Sequence, residues 1–209
     1  MKKRPIKWLV QVAILAALSV VLMFFEFNVP FLFPDFLRFD FSEIPVMIGA
    51  FALGPVAGIV IEALKVLLNL LLEGTITGGI GELANFLVGV AFVFPASLIY
   101  MTHKTKSRAL IGLLAGIVCM TVAGALMNYF VLLPFYAGLY HITMEQLLLG
   151  SSAGISYIVD VKTAILLGIV PFNLVKSTLI SIIVLLLYKR VSTLLKSTDA
   201  PETDSCSEK

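Results

Sequence analysis

At 209 residues, with 59% hydrophobic and only 13% charged side chains, the chain is too apolar for water, since a soluble domain carries about a quarter charged residues. A mean hydropathy of +1.03 makes lipid its solvent, and at about 20 residues per span there is room for about six helices and no separate soluble domain. The net charge of +2 sets no class, because in membrane proteins the placement of Lys and Arg matters more than their sum.

The basic start, Met1 to Lys7, followed by apolar residues resembles a signal peptide. The apolar run 8–25 is longer than a usual signal core and no polar cleavage region follows it, so a retained first helix is expected over 6–25. Segment 26–40 (EFNVPFLFPDFLRFD) is too proline-rich for a helix interior and too apolar for a solvated loop. Such a segment at a membrane surface folds over protein or ligand, which predicts a capping loop. The apolar stretch 42–72 is interrupted at Gly54-Pro55, and Pro at a helix's first position splits it into helices over 42–53 and 55–72. A Gly-rich turn over 75–81 leads to a helix over 82–101. The basic loop HKTKSR (103–108) leads to a helix over 109–133, ending at Pro134. A longer polar connection, 135–160, holds a possible amphipathic turn at 144–149. The last helix is expected over 168–190, with 161–167 as a partial membrane segment.

Basic residues cluster at 2–7, 104–108 and 189–196. The positive-inside rule puts all three in the cytoplasm, which requires an even number of crossings between each pair and so supports the split at Gly54-Pro55. The expectation is an all-α membrane protein: one domain over 1–196 with six transmembrane helices and both termini cytoplasmic. The second helix is short, about 18 Å at 1.5 Å per residue, and needs neighbours to lean on. The tail 197–209 is polar and expected to be disordered.

This topology sets Asn128, Asn173 and Lys176 at one depth, near the outer ends of their helices and under the capping loop. A lysine inside a span costs on the order of 3 kcal/mol and needs a partner or a watery cavity. The three groups either bond each other across a helix interface or line a solute site, where carboxamides and an ammonium suit a flat heterocycle with amide-like edges. Glu62, Lys65 and Asn69 share a stripe of the third helix, where Glu62 and Lys65 could neutralise each other. Glu82 and Asn85 open the fourth, where a carboxylate caps well. Ala13 and Ala17, with Ala16 beside them, form a small-xxx-small pattern that suits a close helix partner or ordinary internal packing.

Other chemistry has little support. His103 and His141 have no metal-ligand partner near them, and no metal or cofactor is expected. Cys119 reads as a small buried hydrophobe, Cys206 lies in the tail, and they make no redox or metal motif. There is no P-loop, no Ser/His/Asp set and no HExxH. An intramembrane enzyme would have to rest on Glu62 and Lys65 alone, and nucleic acid is not an expected partner.

The stretches DFSEIPVMIGAFALGPVAGI (40–59), GELANFLVG (81–89), MNYFVLLPFY (127–136) and IVPFNLVKSTLIS (169–181) resemble the RibU family. These are the riboflavin-binding S components of the energy-coupling factor (ECF) vitamin transporters of Gram-positive bacteria. The resemblance spans about residues 6–196; its NYFVLLP and PFNxxK stretches are specific to the riboflavin branch. It implies a six-helix S-component bundle in the cell membrane with a high-affinity riboflavin site near the outer face, covered by the loop after helix 1. Asn128, Asn173 and Lys176 would contact the isoalloxazine ring, with Asp40, Phe41 and Ser42 at the end of the capping loop. Ala13 and Ala17 would dock on an EcfT-type transmembrane coupling subunit, and two ATP-binding subunits would supply the energy. A different vitamin, or a phosphorylated flavin (FMN or FAD), is the alternative ligand.

Overall fold

A computed structural model of the protein describes residues 6–34, 36–75, 77–151, 158 and 160–197. The tail beyond Ser197, the basic residues before Ile6 and part of the 135–160 connection lie outside the described residues, and so do the expectations placed on them. Helix α1 (Ile6–Met23) leads through the capping loop to α2 (Glu43–Leu53), and α3 (Pro55–Glu73), α4 (Ile80–Thr102) and α5 (Lys106–Met127) follow. A π-helical turn (Asn128–Leu132) then runs into α6 (Leu133–Tyr140), and α7 (Met144–Ser151) follows. The short α8 (Val161–Thr163) continues through a second π-helical turn (Ala164–Ile169) into α9 (Val170–Ser197). Among the described residues, five helical stretches are long and apolar enough to cross a membrane, and α2 is a shorter apolar helix.

The expected break at Gly54-Pro55 is present. Gly54 has φ 102°, which a residue without a Cβ adopts freely, and its N–H closes α2 on the Ala50 carbonyl at 3.0 Å. Pro55 then opens α3 at no cost in hydrogen bonds, because the first N–H groups of a helix have no partner in it. A short helix cannot shield its ends alone, and α2 is buried from Glu43 to Phe51, touching α1, α3, α4 and α9. Val46, Met47, Ala50 and Phe51 meet Ile61, Phe92 and Val93 in the main core. The Phe51 ring stacks on Tyr100 at 4.5 Å, which aligns the end of α2 with the end of α4. Large apolar side chains such as Leu9, Val118 and Leu186 face outward, as lipid allows.

Several expectations change. Cys119, expected to be buried, is exposed on α5. The 109–133 helix starts earlier, at Lys106, because the Thr105 hydroxyl accepts the Arg108 N–H at 3.3 Å and caps it. It also does not end at Pro134, since the chain stays helical to Tyr140. The last helix likewise begins at Val161, so 161–167 is its first part, started by a capping box between Asp160 and Thr163. One device explains both continuations. Each proline follows a π turn, in which Leu133 N–H reaches back to the Asn128 carbonyl and Val170 N–H to that of Ile165. The wider turn shifts the register by one residue, so Pro134 and Pro171 need supply no N–H and meet no carbonyl head-on. The expected polar connection is therefore partly helical, with the 144–149 turn realised as α7.

Candidate solute site

The capping loop is built by its aromatics. Phe27 and Phe39 exchange backbone hydrogen bonds of 2.9 and 2.7 Å, closing the loop at its neck, and Arg38 pairs with Glu26 beside them. Phe33, Leu37 and Phe39 are buried against Ile169 and Phe172, with the Phe39 and Phe172 rings 4.5 Å apart. The loop is thus folded onto the start of α9, and it brings Asp40 to Lys176. The Lys176 ammonium donates to Asp40 Oδ2 at 2.6 Å and to the Arg38 carbonyl at 3.5 Å.

Beneath the loop lies an inner pouch of about 160 Å³ lined by Asn128, Asn173, Lys176, Glu43, Asn85 and Phe172. It shares Asn85, Asn128 and Leu132 with a wider cavity of about 410 Å³, whose walls include Asn69, Thr77, Glu82 and Tyr136. The wider volume is in the ordinary range for small-molecule sites, roughly 300–1,000 Å³. The three residues singled out from the sequence therefore meet in one place, and they do not bond one another. Asn128 Nδ2 donates to the Gly124 carbonyl at 2.8 Å and Asn173 Nδ2 to the Ile169 carbonyl at 2.9 Å, each within its own helix. A Cβ on Gly124 would stand 2.8 Å from Asn173 Nδ2, so the glycine is what lets that carboxamide lie against α5.

The hydrogen-bond inventory shows what remains for a ligand. A carboxamide has two N–H donors and an acceptor oxygen, and an ammonium has three donors. With one N–H of each Asn and two of Lys176 engaged, both carboxamide oxygens and a donor on each of the three side chains are left. Burial works to raise the Asp40 pKa. The charges of Lys176 and Lys65, and hydrogen bonds from Lys176 and Ser42, outweigh it and hold this loop carboxyl well below the usual carboxylate range.

Asp40, Phe41 and Ser42 do not line either cavity. Asp40 acts on the site through Lys176, the Ser42 N–H and hydroxyl bond Asp40 Oδ1, and Phe41 packs on the main core. Glu62 and Lys65 are paired as the stripe suggested, at 2.8 Å, and Glu43 joins them from α2, accepting from Lys65 at 2.7 Å. Glu43 is a cavity residue that the sequence did not single out, because no local spacing ties it to a lysine 22 positions on. Glu82, expected to cap α4, accepts the Thr77 hydroxyl at 2.9 Å and faces the wider cavity beside Asn85. Ala13 and Ala17 lie on the exposed face of α1, while Ala16 is buried.

A polytopic helical bundle with a polar pouch under a folded-over loop defines a membrane protein that binds a small solute. The comparisons with known proteins make the class specific. The model of the ECF transporter substrate-specific component matches residues 7–188. The riboflavin transporter RibU of Staphylococcus aureus (strain TCH60) is 37% identical over 190 residues, 91% of this chain and 93% of that protein. The riboflavin transporter FmnP of Bacillus subtilis (strain 168) is 34% identical over 184 residues, 88% of this chain and 90% of that protein. A solved structure of the S component of a bacterial ECF transporter superposes with a TM-score of 0.70 at 35% identity, covering 91% of this chain and 98% of that one. The chain belongs to the family of ECF transporter substrate-specific components; it is a transport subunit and not an enzyme.

Proposed function

We propose that this S component binds riboflavin in the pouch beneath the capping loop and delivers it into the cell. The observation that carries the reading is the convergence of Asn128, Asn173 and Lys176 on one small cavity with hydrogen-bonding capacity to spare. The imide edge of an isoalloxazine ring presents a carbonyl, an N–H and a second carbonyl. The Lys176 ammonium and the carboxamide N–H groups supply donors for the carbonyls, and a carboxamide oxygen supplies the acceptor for the N–H. Phe172 and Leu132 give the flat ring apolar walls, and the wider cavity has Asn69, Thr77 and Glu82 for the hydroxyls of the side chain. The names of the Staphylococcus and Bacillus relatives, both riboflavin transporters, support the same ligand. Asp40, with Ser42 behind it, fixes the ammonium, and Phe41 anchors the loop.

The energy comes from partners. The sequence carries no P-loop, and Ala13 and Ala17 lie on an outward face of α1 beside exposed Val10, Ile14 and Leu18. That face docks on an EcfT-type coupling subunit, which two ATP-binding subunits drive. Both termini lie in the cytoplasm, and the capping loop faces outward; the clustering of Lys and Arg at 104–108 and 189–196 supports this orientation.

Purified protein titrated into riboflavin should quench the flavin's fluorescence with one site per chain, and protein from flavin-containing cells should be yellow. Colourless protein that leaves the fluorescence unchanged overturns the proposal. Competition by flavin mononucleotide, thiamine and biotin tests the identity of the ligand, and displacement by thiamine or biotin at equal concentration would reassign it.

A further inference from the structure

A second polar assembly lies behind the pouch; of its members only Glu43 reaches the pouch wall, and the hydrogen bonds assigned to riboflavin above do not involve it. Halfway along α3, Glu62 and Lys65 are fully buried, and Glu43 is 3% exposed. The Lys65 ammonium donates to Glu43 Oε1 at 2.7 Å and stands 2.8 Å from Glu62 Oε1. Two carboxylates around one ammonium leave an unbalanced negative charge. The loop carboxylate Asp40 also acts on the cluster, but its charge is cancelled by Lys176 of α9 in their own 2.6 Å pair. Helix α4 meets the cluster with the bare backbone of Gly89, its own carboxylate Glu82 being bonded to Thr77. An uncompensated buried charge is strongly unfavourable, and lipid supplies no water to relieve it.

Two further observations say what balances it. Glu43 Oε2 and Glu62 Oε2 are buried and have no hydrogen-bond partner, as expected where a hydrogen is needed. The carboxylates also converge. A Cβ on Gly89 would stand 2.3 Å from Glu62 Oε1 and 3.0 Å from Glu43 Oε1, so both oxygens crowd one point where α4 has no side chain. A metal ion is a poor fit: the ammonium already sits between the carboxylates, and the described residues hold no group of three or more His, Cys, Asp or Glu placed for one.

We propose that Glu43 and Glu62 hold one exchangeable proton between them over Lys65, a proton-binding site inside the membrane bundle. The proton makes the cluster neutral, because two carboxylates sharing one site do not both ionise there. Glu43 lines the inner pouch, so the proton exchanges with water through the pouch. The site stands whether or not the pouch takes a flavin.

Infrared spectroscopy of the full chain in phosphatidylglycerol–phosphatidylcholine nanodiscs tests it near neutral pH. The wild type should show a protonated carboxylic-acid carbonyl band worth one group per chain, shifted down when glutamate is carbon-13 labelled. The band should vanish in Glu62→Gln and equally in Glu43→Gln, because in each the remaining carboxylate balances Lys65. Absence of the band in the wild type, or a band indifferent to the label, overturns the proposal without any variant having to fold. Survival of the band in either Gln variant overturns the sharing. A rise in Tm when sodium replaces choline at constant ionic strength also overturns it, since a cation would then balance the charge.

Discussion

Among the described residues, two lysines lie in the bundle interior, and their surroundings differ in kind. Lys65 is sealed at the middle of α3 between two carboxylates, with no exposed surface. Lys176 lies at the rim of the pouch, 12% exposed, with one carboxylate, one backbone carbonyl and the Phe172 ring 6.0 Å away. The first arrangement uses its charge to hold helices α2 and α3 together. The second keeps a donor free and is tied to a loop rather than to another span. In a membrane both charges need a partner; what separates structure from binding is whether the donor left over opens on a cavity, as that of Lys176 does.

Three substitutions test that contrast, beginning with the largest effect. Lys65→Met leaves Glu43 and Glu62 buried without their cation, and it should cost about 3–5 kcal/mol of stability, seen as a collapse of Tm and of monodisperse yield. A variant that melts like the wild type would show the cluster to be solvated. Lys176→Ala should cost only about 1 kcal/mol of stability, the loss of its pair with Asp40, but weaken riboflavin binding by one to two orders of magnitude, the worth of about 1.5–3 kcal/mol for a charged hydrogen bond. A stability loss there as large as that of Lys65→Met would erase the distinction between the two lysines. Asn173→Leu should be milder, about fivefold in affinity for one neutral hydrogen bond of about 1 kcal/mol, because the carboxamide's other bond, to the Ile169 carbonyl, stays within its own helix. Flavin-fluorescence titration measures both.

Much of this was legible in the sequence, and the exceptions have two causes. The Gly54-Pro55 break, the capping loop and the trio at 128, 173 and 176 follow from proline, glycine and rare polar residues, which stand out against a chain that is 59% hydrophobic. The π turns were not legible. In helices apolar all round there is no amphipathic stripe whose register could slip, so Pro134 read as an end when Leu133 bonding back to Asn128 lets the helix pass. Glu43 was missed for a different reason. Its partner Lys65 is on the next helix, and only the tertiary packing of α2 against α3 puts the carboxylate within 2.7 Å. On the sequence, Glu62 and Lys65 could neutralise each other; the fold adds a third charge and with it the imbalance.

The smallest effect concerns the loop side of the contrast. Asp40 lies outside the spans, and its carboxyl is held below the usual range in the folded protein. A depressed carboxyl binds fewer protons folded than unfolded, so its contribution is fully present above the ordinary Asp value of about 3.9 and fades as the pH falls toward the folded value. Asp40→Asn should therefore cost about 1 kcal/mol near neutrality, the scale of a partly exposed ion pair, and the gap to the wild type should close as the solution is acidified. It should also loosen the loop over Lys176, since the Arg38 carbonyl at 3.5 Å would be the ammonium's main remaining tie to it. Thermal melts of both proteins through an acid series read the gap directly. A difference that stays constant with pH would mean that Asp40 stabilises the loop through its bonds to Ser42 rather than through the charge of Lys176.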